Sequence, residues 1–150
     1  MGVGRISKKR KIAKVLEYLG RNRLMALGTS LRDKPWAATV FFAYDKKLRL
    51  LFFSRPDTRH CRNIAKNSHV SVVVNHAWKG KGGFIRGLQM TGRTSRVSGK
   101  EHERLYALYK ARFKWADDFA QDHVLYIIEP KEVWYIDEKL FGNFFRVRVL

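Results

Sequence analysis

At 150 residues, 45% hydrophobic, the chain is long enough for one domain with a real core and too apolar for global disorder. A single cysteine excludes an intrachain disulfide and fits a reducing, cytoplasmic setting, and no apolar run is long enough to span a bilayer or act as a secretory signal. The formal charge of +18 favours anionic partners such as nucleic acid or a phosphorylated cofactor, although Lys and Arg recur along the whole chain instead of marking one site.

Residues 1–5 read as a loose terminus. Over residues 6–19, Ile12, Val15, Leu16 and Leu19 fall on one helix face, ringed by Lys8, Lys9, Arg10, Lys11 and Lys14, and Gly20 ends the helix. Residues 24–29 read as a buried strand, 30–35 as a turn and 36–44 as a second strand rich in β-formers. With 45–47 as the next turn, a strand from Leu48 to Phe53 completes a three-stranded meander. After a short helix come a strand at 69–76, a basic glycine-rich connector at 77–83, and a long strand at 84–97. Gly87 and Gly92 inside that strand suggest bulges or the sharp coiling of a closed sheet. Ser98 and Glu101 read as a capping box for a helix to about Phe113, with Leu105, Leu108, Tyr109 and Phe113 inward. Residues 123–129 read as a further strand, broken by Pro130, and 132–136 as another; the alternation at 144–149 fits an edge. The expected fold is mainly β, a six-stranded antiparallel barrel with peripheral helices, spanning 1–150 as one domain.

The stretch from Leu48 to Asn67 carries the chemistry. A buried strand delivers the chain to a helix N-terminus capped by Asp57 or Thr58, where the first N–H groups lack partners and the dipole is positive. The hydroxyls of Ser54 and Thr58 and the guanidinium of Arg59 can converge there on a phosphate. Many such turns bind nothing, so spacing alone leaves both readings open. The five histidines and Cys61 show no metal-ligand spacing, and no nucleophile elbow is present. Cys61 lies in the first helical turn, where a thiol pKa can fall, and reads as a buried inert cysteine.

Phe52-Phe53-Ser54, then Thr58-Arg59-His60, then Asn63-Ile64, followed downstream by IRGLQMTG, resemble the pyridoxamine 5′-phosphate oxidase-like, FMN-binding split-barrel family over roughly residues 24–137. Pro130 to Asp137 with Phe141-Gly142-Asn143 is similar to members that close over the flavin. The resemblance implies that Ser54, Thr58 and Arg59 hold the FMN phosphate, that the backbone of Ala38, Thr39 and Val40 lines the pyrimidine side of the ring, that Phe53 shapes the cofactor wall, and that Gln89 hydrogen-bonds the cofactor. His60 stands where the family usually has Lys. If His60 touches the phosphate, binding weakens from about pH 6 to about pH 8 as the imidazole loses its proton. Arg86 or Arg93, flanking Gln89, is placed to supply positive charge near the ring.

The resemblance also implies a homodimer with flavin at the interface; Trp36, Phe41, Phe42, Trp134 and Tyr135 are compatible with one, and a barrel core uses such residues equally well. The Arg-rich ends of the oxidase itself are missing, so the likeness speaks for the FMN site more than for vitamin oxidation. Three functions follow: an FMN-dependent oxidoreductase taking electrons from a reduced nicotinamide to a small acceptor, a flavin carrier or sensor without turnover, and a basic nucleic-acid-binding barrel. A deazaflavin or haem in place of FMN stays open, as do the small-molecule donor and acceptor.

Overall fold

The computed structural model describes residues 6–142 and 145–150. The expectations for residues 1–5, Asn143 and Phe144 lie outside them.

Helix α1 (Lys8–Gly20) begins where Ser7 caps it, the Ser7 hydroxyl accepting the Arg10 N–H at 3.2 Å. Strands β1 (Leu24–Leu31) and β2 (Lys34–Phe41) form a hairpin turning at Arg32 and Asp33. Both have positive φ, as a two-residue hairpin turn requires. Then follow β3 (Ala43–Tyr44), β4 (Leu50–Ser54), α2 (Arg59–Lys66), β5 (His69–Asn75), β6 (Arg86–Arg96), α3 (Lys100–Arg112), a 3-10 turn (Ala116–Phe119), β7 (Val124–Asp137), α4 (Glu138–Phe141) and β8 (Arg146–Arg148).

The strands form one antiparallel sheet in the order β2-β1-β5-β6-β7-β4-β3, with β8 on β7. Strands β2 and β3 stand at opposite ends of this order, yet only Phe42 separates them in the chain. The sheet must therefore curl until its ends meet, and Phe42 sits fully buried at the closure. This is the expected mainly β, antiparallel split barrel.

Five details correct the sequence reading. Among the described residues the sheet has eight strands, not six: the expected strand at 36–44 breaks at Phe42 into two, the expected strands at 123–129 and 132–136 run on as the single β7, and β8 adds to β7. There is no three-stranded meander: β2 pairs with β1, whereas β4 pairs with β3 and β7. Leu48 belongs to the preceding turn, at φ 62°, where the Asp45 carboxylate accepts the N–H groups of Lys47 and Arg49 at 2.9 and 3.0 Å.

Pro130 does not break its strand. It lies opposite Gly92, while Glu132 lies opposite Thr91, so Lys131 is the extra residue of a bulge that absorbs the missing proline N–H. Nor does a capping box form at α3. Gly99 is the N-cap, at φ 67°, with no side-chain cap bond, so the helix starts after the register that Ser98 and Glu101 would need.

Two cores result. Leu50 and Phe52 of β4, with Tyr126 and Ile128 of β7, fill the barrel against α1 and α2. Leu51, Leu125 and Ile127 face the other way, against Leu105, Tyr109 and Phe113 of α3 and beyond. Strand β4 is buried on both faces, which is why its apolar run is continuous instead of alternating.

Candidate cofactor site at the first turn of α2

Strand β4 ends at Ser54, and the chain turns through Arg55-Pro56-Asp57 to α2. Thr58 is the N-cap: its Oγ1 accepts the Cys61 N–H at 3.3 Å and donates to the Arg55 carbonyl at 3.0 Å. The first turn of α2 carries no acidic residue, so its positive dipole end is uncompensated from within.

The expected site residues divide by the face on which they lie. Ser54 and His60 are buried and paired with each other, Ser54 Oγ lying 2.8 Å from His60 Nε2 and Thr58 Oγ1 3.3 Å from the same nitrogen. His60 is thus a support inside the fold, and a phosphate on the solvent side meets Arg59 before it meets His60. The exposed Arg59 lays its guanidinium over Trp36 of β2, 4.1 Å from the ring centroid. Arg59 also opens onto a cavity of about 530 Å³ lined by Leu31, Arg32, Lys34, Arg62, Asn63 and Lys66. Among the described residues, five cations and no carboxylate line it. By contrast, the groove of about 800 Å³ between the β3–β4 turn and α3 carries both signs, with Arg49 held by Asp45 at 2.6 Å and by Glu129 at 3.4 Å.

Strand β2 is an edge of the sheet, so alternate residues turn N–H and C=O groups away from β1. Trp36, Ala38 and Val40 lie opposite Thr29, Leu27 and Met25, on the barrel face that α2 covers; Asn63 of α2 donates to Thr29 Oγ1 at 3.0 Å. Thr39 faces the other way. Phe53 also leaves the group: it packs among Tyr106, Tyr109 and His123, with ring centroids 5.7, 5.7 and 5.3 Å away.

Gln89 is farther off. It pairs across the sheet with Val73, then Ala26, then Thr39. Three strand spacings put it about 14 Å from β2 along the sheet. Arg93 shares its face; Arg86 alternates inward, where Asp137 takes its Nε at 3.2 Å.

Residues 12–137 match the family described as pyridoxamine 5′-phosphate oxidase. The chain belongs to that family. A UPF0306 protein of Klebsiella pneumoniae is 28% identical over 134 residues, covering 88% of this chain and 89% of its own length. Among solved structures, HutZ, the heme storage protein from Vibrio cholerae, matches with TM-score 0.72 at 18% identity over 87% of this chain and 95% of its own. A FAD-binding protein from Mesorhizobium loti matches with TM-score 0.67 at 21% identity over 81% and 88%. Some solved matches are longer, and this chain spans about half (51%) of Atu2129 from Agrobacterium tumefaciens. At these identities the structural likenesses show the split-barrel fold.

In this member of the pyridoxamine 5′-phosphate oxidase family, two groups escaped the sequence reading. Arg146 of β8 donates from Nε to Gln89 Oε1 at 2.8 Å, and the guanidinium of Arg148 stands 5.7 Å from the Trp134 ring centroid. The alternation at 144–149 was legible, but which strand it joins was not. Among the described residues no cluster of His, Cys, Asp or Glu is placed to hold a metal ion, and no helix is long and apolar enough to cross a membrane.

Proposed function

We propose that this chain binds FMN at the first turn of α2 and works as an oxidoreductase, passing electrons from a reduced nicotinamide to a small acceptor. The observation that carries the reading is the cation-only rim of Arg32, Lys34, Arg59, Arg62 and Lys66 beside the free edge of β2. A dianionic phosphate fits next to Arg59 and the exposed end of α2. Along Ala38, Thr39 and Val40 alternate residues offer backbone donors and acceptors at the free edge, as the pyrimidine side of a flavin needs. Bound FMN supplies the redox chemistry; the chain supplies binding, orientation and charge.

The same reading calls for a second copy. Gln89, Arg93 and Arg146 stand too far from β2 to reach a ring seated on that strand of the same chain. Leu24, Trp36 and Phe41 leave large apolar side chains exposed on β1 and β2, and Trp115, against Phe41, and Phe119 extend that surface. A homodimer would cover them and bring the partner's Gln89 face to the ring.

The test is the visible spectrum of the purified protein before and after adding FMN and removing the excess, with haem in parallel. A retained flavin spectrum, lost when Thr58 and Arg59 are both changed to Ala, supports the site; oxidation of a reduced nicotinamide by the loaded protein then supports turnover. A protein that rejects FMN and retains haem sinks the proposal. One that rejects both and binds nucleic acid with steep salt dependence does the same.

A further inference from the structure

The opposite side of α2 carries a different chemistry. Cys61 is the one cysteine of the chain and is buried. It borders a cavity of about 190 Å³ between α2 and strands β6 and β7, where Pro56, Thr94, Ser95, Arg96 and Tyr126 also line the wall. Such a space is small, yet several times the roughly 30 Å³ that one water occupies in the liquid. Thr94 is only 4% exposed, and its Oγ1 has no hydrogen-bond partner among the described residues. Buried hydroxyls are rarely left unsatisfied, so an orphan beside a cavity marks a place for a polar guest. Arg96 alternates onto the same face of β6 as Thr94 and lies opposite Tyr126, its guanidinium 6.0 Å from that ring centroid. Among the described residues no carboxylate lines the cavity.

We propose that this cavity admits a small hydroperoxide and that Cys61 is the thiol it oxidises. The Cys61 thiolate attacks one oxygen of hydrogen peroxide; a sulfur–oxygen bond forms as the oxygen–oxygen bond breaks. Sulfur gives up two electrons and becomes a sulfenic acid, and the departing hydroxide takes a proton from solvent to leave as water. The Thr94 hydroxyl donates to the bound peroxide, and Arg96 faces the charge on the departing oxygen. With no second cysteine in the chain, an external small-molecule thiol attacks the sulfenic sulfur and expels water to give a mixed disulfide; a second equivalent then releases the Cys61 thiol, the two external thiols supplying the two electrons as they become a disulfide. The step itself uses no flavin.

The thiol is prepared for this. Burial pushes its pKa up, but the polar side chains of His60, Thr58, Tyr126 and Ser54 around the sulfur outweigh burial and bring it to about 7 from an ordinary 9.0. The titratable and charged groups around it are His60 and Arg62 on α2, Arg96 on β6 and Tyr126 on β7.

The experiment treats the reduced full chain with hydrogen peroxide and dimedone and reads the intact mass. One adduct is expected, mapped to Cys61 and absent from Cys61→Ser, with a rate that rises with pH around a midpoint near 7. Thr94→Val is expected to slow the reaction about tenfold, the loss of one hydrogen bond in the transition state. Thr94→Ser restores it, which a merely structural role for the methyl and hydroxyl together would not predict. The proposal is overturned if the folded chain gives no adduct while the urea-unfolded chain does. It is equally overturned if Thr94→Val reacts at the wild-type rate.

Discussion

Arg59 and Trp36 join two elements far apart in sequence: the guanidinium of the first helical turn of α2 lies 4.1 Å from the ring centroid on the edge strand β2. The contact holds the cation at the mouth of the basic cavity, beside the strand proposed to line the flavin. Arg59→Ala is expected to weaken FMN binding about tenfold to a hundredfold, the range for losing a charge-assisted hydrogen bond to phosphate. Stability should fall by no more than about 1 kcal/mol, because the stacking contact is exposed. Titration of flavin fluorescence checks the first number and urea unfolding the second. Equal losses in both would make Arg59 a structural residue.

Thr58 works through a different bond. Its Oγ1 caps α2 on the Cys61 N–H. Thr58→Ala should cost about 1 kcal/mol of stability, and Thr58→Ser should recover most of it. The measurement is the denaturant midpoint at constant slope. If alanine leaves the midpoint unchanged, the hydroxyl is not acting as a cap.

Gly92 is required by the bulge opposite Pro130. A Cβ there would press into the Glu129 carbonyl oxygen, which is backbone and cannot swing aside, and into the Ile128 side chain. Gly92→Ala is expected to cost about 1–3 kcal/mol, as overpacking does. In a chain of this size that lowers Tm by roughly 2–4 °C per kcal/mol. An unchanged Tm would mean that the bulge relaxes at no cost.

This pair also shows where the sequence ran out. A proline inside an apolar run reads as a stop, and only the partner strand reveals that Gly92 opens the space to carry the strand on through a bulge. Strand β4 was legible because burial on both faces makes its run continuous, and Thr58 because a cap is a local matter. The inward turn of Ser54 and His60 was not legible. It depends on how α2 is rotated against β1, fixed by the Asn63 to Thr29 hydrogen bond across 34 residues. Ser98 and Glu101 have the spacing of a capping box, but Gly99 at positive φ sets the helix start instead.

Asp137 gathers three elements. Its Oδ2 accepts from Arg86 Nε and from Tyr135 Oη, each at 3.2 Å, and its Oδ1 caps α4 on the N–H groups of Lys139 and Leu140. Asp137→Ala leaves Arg86 and Tyr135 without this acceptor inside the fold. Removing one partner of a fully buried pair costs about 3–5 kcal/mol; with Arg86 about a third exposed, about 2 kcal/mol is expected. Asp137→Asn keeps an acceptor for Tyr135 and should lose less. Thermal unfolding of the two variants side by side tests the order, and a reversed order would sink the account.

The thiol pKa makes stability depend on pH in a defined window. In the folded chain burial raises the Cys61 pKa, but the surrounding polar side chains bring it down to about 7, while the unfolded thiol sits near its ordinary 9.0. Between these values the unfolded state binds more protons than the folded one, so stability rises with pH. The contribution is full above about pH 9 and is lost as the pH falls through about 7. Tyr126 acts with the opposite sign: burial, then its hydrogen bond to Cys61 and the charge there, push its pKa up to about 12, so its contribution is present below pH 10 and lost as the pH rises toward 12. Tyr18, Tyr109 and Tyr135 are raised by burial in the same direction. Urea midpoints measured from about pH 6 to pH 11 should therefore climb, level off near pH 9–10 and then fall. In Cys61→Ser the climb should flatten while the alkaline fall remains. An identical climb in the serine variant would show that the folded thiol is not ionised near neutral pH, and would remove the thiolate on which peroxide chemistry at Cys61 depends.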